Sequence, residues 1–327
     1  MQTRARRVTL AGGAGRTVLA AAFDALLPFF STREAAQSLR GVCREFSGAV
    51  ARHAWRDGKT VIMGSIAAWR ASFPRAKVAS VSMLSTEPCH RTVPVTDADF
   101  VHFVGLEELN MRQCQSVTDA AFVHLAGIKT IFMSLCSQAT ITDAAFAHLV
   151  GIRVLRMVDC NQATITDAAF VNLKGIHELS MGGCNQATIT DAAFANLKGI
   201  HKLNMGGCNQ ATISDAAFAN LKGIHSLGIF GCNQATITDA AFVNLKGIHT
   251  LVMMGCNQAS ITDAAFTHLG GIHALYMGNC NQATITAGAN FQHLLGAEVH
   301  MSGCRAAVIA AACAAGLRVV AVFGQMQ

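Results

Sequence analysis

The sequence predicts an α/β solenoid, with short parallel strands along one face and short helices along the other. It does so because a segment of 24 residues returns many times, and because each copy contains a strand pattern followed by a helix pattern. The segment at 175–198 returns almost unchanged at 199–222, and again from residues 223, 247 and 271. Since one unit of this size cannot bury its own apolar side, we expect the copies to stack on one another.

The first half of each copy predicts a strand and then a turn. In the copy at 175–198, Leu179 and Met181 flank Ser180, and this alternation is typical of a short strand with leucine and methionine in the core. A cysteine follows and marks the turn. The cysteines at this position lie 24 residues apart: Cys136, Cys160, Cys184, Cys208, Cys232, Cys256, Cys280 and Cys304.

The second half of each copy predicts a short helix. We expect it to run from Ala192 to Lys198 with Thr190 or Asp191 as its cap, since a side-chain oxygen there accepts hydrogen bonds from free backbone N–H groups. A phenylalanine and a leucine three positions apart share one side of this helix and are predicted to face the core. The glycine that follows directly is a favourable helix stop.

The copies resemble leucine-rich repeats. Residues 176–184 fit the pattern L-x-x-L-x-L-x-x-C, and residues 114–119 read C-x-x-V-T-D, which resembles the cysteine-containing class of these repeats. The resemblance covers residues 77–327 and implies strands on a concave face and helices on a convex face. Strand-like segments from Val81-Ser82-Met83 to Val320-Ala321-Val322 predict ten or eleven coils.

Residues 26–55 contain Leu27-Pro28, then Val42-Cys43-Arg44 and a closing Trp55. On these residues the segment at 17–60 resembles an F-box, the α-helical module that binds a Skp-type adaptor of cullin ubiquitin ligases. Two phenylalanines follow the leucine-proline pair where the family has an acid and aliphatic residues, and Phe46 stands where the family often has tryptophan. The alternative is that these helices only cap the open apolar end of the solenoid. The resemblance implies adaptor contacts through Leu27, Pro28, Phe30, Leu39, Val42, Cys43 and Phe46.

Charge and hydropathy exclude several classes of protein. The net charge of +6 is modest, and we expect no basic stripe on the repeats and therefore no nucleic-acid partner. The apolar run at 306–317 is too short to span a bilayer, so we expect no membrane segment. The predicted segments are a basic disordered tail at 1–16, the F-box-like domain at 17–60, a linker or cap at 61–76 and the repeats at 77–327.

Two columns of side chains could carry chemistry. Equivalent cysteines of adjacent coils would lie within disulfide reach, but no secretory signal is visible, so we predict reduced structural thiols and a cytoplasmic or nuclear location. Neighbouring histidines could bridge a metal ion, but no carboxylate or cysteine column completes a coordination shell, so we predict no metal and no cofactor. The histidine column comprises His177, His201, His225, His249 and His273.

The outward strand positions predict the function. Core positions barely change between copies whereas outward positions change in every copy, which favours a ligand-binding surface. No nucleophile with a base and an orienting group is visible, so we expect no enzymatic activity. The predicted partner-binding residues are an apolar patch of Phe230, Val252, Met254 and Tyr276, with Phe132, Val154, Arg156 and Val158 as a second cluster.

The order of an F-box followed by such repeats resembles the substrate receptors of cullin-type (SCF) ubiquitin ligases. The resemblance implies that the repeats bind a protein substrate while residues 17–60 bind the adaptor, and we expect a monomer within that complex. The alternative is a stand-alone protein-binding scaffold without a ligase.

Overall fold

A computed structural model describes residues 25–39, 44–82 and 94–320. Eleven strands in this part form one parallel sheet, and their order in the sheet is their order along the chain. The strands are β1 (Val78–Ser80), β2 (Glu108–Asn110), β3 (Thr130–Phe132), β4 (Val154–Arg156), β5 (Glu178–Ser180), β6 (Lys202–Asn204), β7 (Ser226–Gly228), β8 (Thr250–Val252), β9 (Ala274–Tyr276), β10 (Glu298–His300) and β11 (Arg318–Val320).

The described residues contain eleven coils, within the predicted range, but the two terminal strands lie earlier than predicted. Ala79 of β1 stands opposite Leu109, so Val81 occupies the methionine position of its coil rather than the first strand position. At the other end Val319 stands opposite Val299. These terminal copies lack the Leu-x-Met pattern, and only the backbone pairing with a neighbouring coil fixes their register.

The short helices of the full coils wind more tightly than predicted, because a 3-10 turn replaces the second half of the expected α-helix in many of them. In the copy at 175–198, one α-helical turn spans Asp191–Phe194 and a 3-10 turn follows at Ala195–Leu197. The cap is Thr190, whose hydroxyl accepts a hydrogen bond from the N–H of Ala192 at 3.2 Å. The chain leaves the helix through Gly199 at a φ of +81°, a conformation that glycine adopts at little cost.

The helices of the other coils are similar but differ in length and in whether they are α-helical or 3-10. None of the helices in the described part is long and apolar enough to cross a bilayer. The α-helices of the coils are Asp119–Phe122, Asp143–Phe146, Asp167–Val171, Asp191–Phe194, Asp215–Phe218, Asp239–Phe242 and Ala306–Ala314. The 3-10 helices of the coils are Asp97–Phe103, Val123–Leu125, Ala147–Leu149, Ala195–Leu197, Ala219–Leu221, Val243–Leu245, Asp263–His268 and Phe291–Leu294.

The core is a stack of identical layers. In the copy at 175–198, Leu179, Met181, Ile189 and Phe194 have no exposed surface. Equivalent residues of neighbouring coils lie directly above and below them, because all the strands pair in register. Most of the stabilising apolar burial therefore lies between coils rather than within one coil.

Helices precede the first coil and enclose a second, smaller core. They are Leu27–Phe29, Thr32–Glu34, Ala35–Leu39, Arg44–Arg52 and Ile66–Ser72. The smaller core consists of Leu27, Ala35, Ala49, Val50, Trp55, Phe73 and Ala76. Trp69 packs against both cores, since its ring centroid lies 6.3 Å from that of Phe73 and 6.4 Å from that of Phe103.

This packing buries some of the residues predicted to contact an adaptor and leaves others exposed. Leu27 fills the smaller core and has no exposed surface, and its contact with an adaptor stays a prediction. Pro28 is exposed, whereas Phe30 and Phe46 are half-buried against the smaller core. The predicted basic tail lies outside the described residues, as do the side chains of Leu39, Val42 and Cys43.

Candidate binding face

An open depression of about 610 Å³ lies on the strand face, by which we mean the side of the sheet that carries the outward strand positions. Small residues create it, since Ser180, Ser226 and Gly228 line its middle where larger side chains would fill the space. Its charged lining residues are Arg112, Arg156, Asp159, Glu178 and Lys202.

An aromatic ring between two guanidinium groups stands beside this depression. The Phe132 ring centroid lies 5.1 Å from the guanidinium carbon of Arg112 in the preceding coil and 5.2 Å from that of Arg156 in the following coil. Such distances give a cation–π attraction to both arginines. Arg156 also forms an ion pair with Glu178 at 2.9 Å, so its side chain is held from two directions.

Phe230 closes the opposite side of the depression. Its ring lies over Gly206 of the preceding coil, and three ring carbons are only 2.4–2.5 Å from where a Gly206 Cβ would be. The ring can occupy this place only because residue 206 is glycine. Phe230 keeps 39% of its surface exposed, so it is available for contact with a ligand.

Neighbouring glycines let two residues of the predicted apolar patch lean in opposite directions. Phe230 leans toward the preceding coil, while Met254 lies near Gly278 of the following coil, its Cγ 3.9 Å from where a Gly278 Cβ would be. Tyr276 stands opposite Val252 in the sheet and stacks on His300 with ring centroids 4.2 Å apart. The contiguity of the whole patch stays a prediction.

The depression joins residues from both predicted clusters. From the first cluster Phe230 and Val252 line it, and from the second Arg156 and Val158 do so. The other four predicted residues lie at its margins or beyond: Phe132, Val154, Met254 and Tyr276.

The repeat region matches a known family. The family model of the BspA-type leucine-rich repeat region, with six copies, matches residues 95–225 and 139–273, which together make up more than half of the chain. The chain belongs to the BspA-type leucine-rich repeat family. The resemblance to leucine-rich repeats is thereby confirmed. Among curated proteins, none matches the chain in sequence.

Solved structures share the solenoid fold of this BspA-type protein. One is the Toll–Spatzle complex of Drosophila, with a TM-score of 0.53 and 15% identity over 78% of this chain and 38% of that chain. Another is the TLR13–ssRNA13 complex, with a TM-score of 0.55 and 16% identity over 74% of this chain and 38% of that one. The chain thus spans less than half the length of either, and identities this low show the fold alone.

Sequence reasoning missed the polar part of the BspA-type binding face. Apart from Arg156 it selected apolar outward positions, and so passed over Arg112, Lys202 and Asn204, which line the depression. A usable signal was present, because glycine and serine cluster at outward positions of the fifth to seventh coils between two copies with larger side chains. Such a local run of small residues predicts a hollow in an otherwise regular surface.

The geometry of the cysteine column in the BspA-type repeats indicates a structural role. Each thiol donates a hydrogen bond to a methionine or equivalent carbonyl of the preceding coil, as Cys184 does to Met157 at 3.1 Å. Burial raises the pKa of Cys136 to about 11 and that of Cys160 to about 12. None of the described cysteines is in a disulfide, and only Cys313 among them is exposed.

The histidine column lies where the chain enters β5 to β9, and no histidine of the column lines the depression. Within the described residues no group of three or more histidine, cysteine or acidic side chains could hold a metal ion. Lys129 and Arg153 occupy the two preceding positions of the same column, because the N–H of Arg153 donates to the carbonyl of Lys129 and that of His177 to the carbonyl of Arg153. The strand register thus aligns basic residues of different types.

Proposed function

We propose that this protein is a protein-binding scaffold whose strand face holds a segment of a partner protein, centred on the depression between Arg156 and Phe230. The observation that carries this proposal is the depression itself. It interrupts a regular solenoid where outward positions differ between coils, and its walls offer different chemistry. Aromatic and large apolar side chains beside arginine are the composition that binding hot spots favour.

The chemistry of the two walls suggests what the partner presents. Arg156 and Arg112 can receive a carboxylate or an aromatic ring, and the exposed part of Phe230 can receive an apolar side chain. The solved solenoids of similar fold are complexes with large ligands, Spatzle and ssRNA13. In this proposal Val158 and Val252 extend the contact, and Phe132, Val154, Met254 and Tyr276 form its margins.

Site-specific photo-cross-linking tests the location of the partner. A photoreactive amino acid at Asn204, inside the depression, should cross-link one partner in native cells, whereas the same group at the exposed helix position Ala195 should not. Equal cross-linking from both positions, or cross-linking from Ala195 alone, would place the partner outside the strand face.

Alanine substitutions then measure the contribution of each wall. Phe230→Ala and Arg156→Ala should each weaken the cross-linked partner's affinity by about 2 kcal/mol, close to thirtyfold. Tyr276→Ala should weaken it less, because Tyr276 already stacks on His300. Circular dichroism and the cooperativity of melting should stay unchanged in Phe230→Ala and Tyr276→Ala, whose side chains lie outside the apolar core.

A second proposal assigns the protein to a cullin-type ubiquitin ligase through its N-terminal helices. The observation that favours it is the exposure of Pro28 and of Phe29, which is 83% exposed. A large exposed aromatic residue on a small helical module is a reasonable docking point. The full chain should then co-elute with a Skp-type adaptor, and Phe29→Ser should abolish this. If the wild-type chain fails to bind adaptor at tens of micromolar, the helices serve as a cap.

A further inference from the structure

Five imidazoles are stacked on one another where the chain enters β5 to β9. Neighbouring ring centroids lie 4.4–4.6 Å apart and neighbouring ring planes are within 26° of parallel. Backbone hydrogen bonds hold the rings in register, and the N–H of His225, for example, donates to the carbonyl of His201 at 3.1 Å. We call this set the histidine ladder: His177, His201, His225, His249 and His273.

Permanent cations extend the ladder and flank it. Lys129 and Arg153 occupy the two preceding positions of the same column, so seven basic side chains follow one another at about 4.8 Å per strand. A second column lies three residues before the histidines and is fully exposed to solvent. We call it the lysine column: Lys174, Lys198, Lys222 and Lys246.

Few acidic groups oppose this charge. Glu107 precedes Lys129 in the same column and is paired with Arg56 and Lys77. The charged residues that follow the column positions on the adjoining strands are Glu108, Glu178, Lys202 and Glu298. Glu178 is paired with Arg156 at 2.9 Å, and the Glu298 carboxylate lies 2.8 Å from the imidazole of His300. The aspartates at the helix starts accept hydrogen bonds from the next coil, whereas Asp159 lines the depression. The column therefore forms a narrow cationic edge along the solenoid.

The stacking itself limits what can occupy this edge. Parallel rings direct their nitrogen lone pairs in parallel rather than toward a common point, so two neighbours cannot chelate one ion without leaving the stack. The ring faces contact each other, so they offer no platform on which nucleic-acid bases could stack. The N–H edges of the imidazole rings and the ammonium groups of the lysines remain accessible in a line. Such a line suits anionic groups that are spaced along a flexible chain.

A positive charge on one histidine of the ladder disfavours a positive charge on its neighbours. The pKa of His249 lies below the usual value, first because of desolvation and then because of the charges of His225 and His273. Its Nδ1 also lies 3.1 Å from the hydroxyl of Thr250, and the tautomer decides which group donates. A polyanion along the edge would offset the repulsion at His249 and so favour its protonated form in the complex. Binding then takes up a proton there, and it strengthens as the pH falls.

We propose that the histidine ladder and the lysine column bind a linear anionic polysaccharide, such as a sulfated glycan, lengthwise along the edge and more tightly in acid. The histidines adjoin the depression, since Glu178, Lys202 and Ser226 line it, but none of the five histidines does. This inference therefore goes beyond the proposed function and does not depend on it. The column is one or two side chains wide and about 30 Å long, from six steps of strand spacing. That shape matches a single extended polymer chain better than a broad surface.

Binding of the full chain to a fluorescent heparin dodecasaccharide tests the proposal at pH 7.5 and pH 5.5 and constant ionic strength. Wild type should bind at least about tenfold more tightly at pH 5.5, equivalent to 1.4 kcal/mol. The triple variant His201→Asn, His225→Asn, His249→Asn should lose this ratio and keep weak binding. The triple variant Lys198→Gln, Lys222→Gln, Lys246→Gln should bind more weakly at both pH values and keep the ratio.

The repeats offer a matched control. His124, His148 and His268 stand at a helix position that carries asparagine in the intervening copies, so His→Asn at all three removes as many imidazoles outside the ladder. This control should behave like wild type. An unchanged pH ratio in the ladder variant, or its loss in the control, would overturn the proposal. So would absent binding at pH 5.5, or tighter binding of an oligothymidylate or an anionic lipid vesicle than of the glycan.

Discussion

The thiol of Cys208 donates a hydrogen bond to the carbonyl of Met181 at 3.1 Å, and equivalent thiols do the same in the coils around it. The sequence could predict that the column is structural, because each cysteine holds the same turn position. It could not predict the acceptor, which belongs to the preceding coil 27 residues earlier and comes close only after stacking. Buried thiols with raised pKa values are poor nucleophiles, since the thiolate is the reactive form.

Labelling of thiols in the native protein should therefore distinguish the exposed cysteine from the buried ones. At pH 8, iodoacetamide should modify Cys313 within minutes while the buried column stays unmodified, as peptide mass spectrometry would show. In denaturant without reductant, all twelve cysteines of the chain should react. Column cysteines that label as fast as Cys313 in the native protein would contradict the burial, and missing thiols in denaturant would indicate disulfides.

The same thiols should make the protein less stable in alkali. Their pKa is raised from the ordinary value of 9.0, to about 12 for Cys160 and Cys280. A group with a raised folded pKa contributes stability that is complete below pH 9 and is lost as the pH rises toward the folded pKa. The free energy of unfolding measured with urea should fall between pH 9 and 11, by about 1.4 kcal/mol per pH unit for each thiol ionised only in the unfolded chain, and the urea midpoint should fall with it. A flat midpoint over this range would refute the raised pKa values.

At the scale of one coil, the helix start is the best-determined element. Thr190 caps its helix and also donates its hydroxyl to Asp167 of the preceding coil at 2.7 Å. The sequence allowed either Thr190 or Asp191 as the cap. It could not show that Asp191 serves the following coil instead, where it accepts from the N–H and the hydroxyl of Ser214, both at 2.7 Å. Its partner lies 23 residues away, beyond any local helix rule.

Removing this carboxylate should destabilise the stack rather than one helix. Asp191→Ala leaves two donors of Ser214 without their charged acceptor and should cost about 2 kcal/mol. Asp191→Asn keeps one acceptor oxygen and should cost about half as much. Asp263→Ala is the control, since its bonds to Thr286 are exposed to water. Urea unfolding should show Asp191→Ala as the least stable protein, Asp191→Asn as intermediate and wild type as the most stable. A loss of stability in Asp263→Ala as large as that in Asp191→Ala would contradict this interpretation.

Across the whole molecule, stacking leaves two open ends, and the N-terminal helices cover one of them. Arg70 connects these helices to the first coils, because its guanidinium donates to the carbonyls of His102 and Val104 at 2.5 and 3.1 Å. It also donates to the carbonyls of Pro74 and Ala76. The sequence predicted helices here and offered adaptor binding or capping as their role. It could not identify Arg70, whose partners converge only in the folded chain.

The Arg70 contacts predict a measurable role in closing the solenoid. Arg70→Ala should lower the free energy of unfolding by about 2 kcal/mol, because four carbonyls lose their shared donor. Arg70→Lys should recover little of this, since an ammonium cannot reproduce the fork of a half-buried guanidinium. Arg75→Ala, at an exposed position nearby, is the control and should resemble wild type. Limited proteolysis should cut Arg70→Ala near residues 70–76 faster than wild type, since loss of these bonds frees the junction between the helices and the first coil. Equal unfolding midpoints and equal cleavage rates in Arg70→Ala and Arg75→Ala would mean that apolar packing of Trp69 and Phe73 alone holds the cap in place.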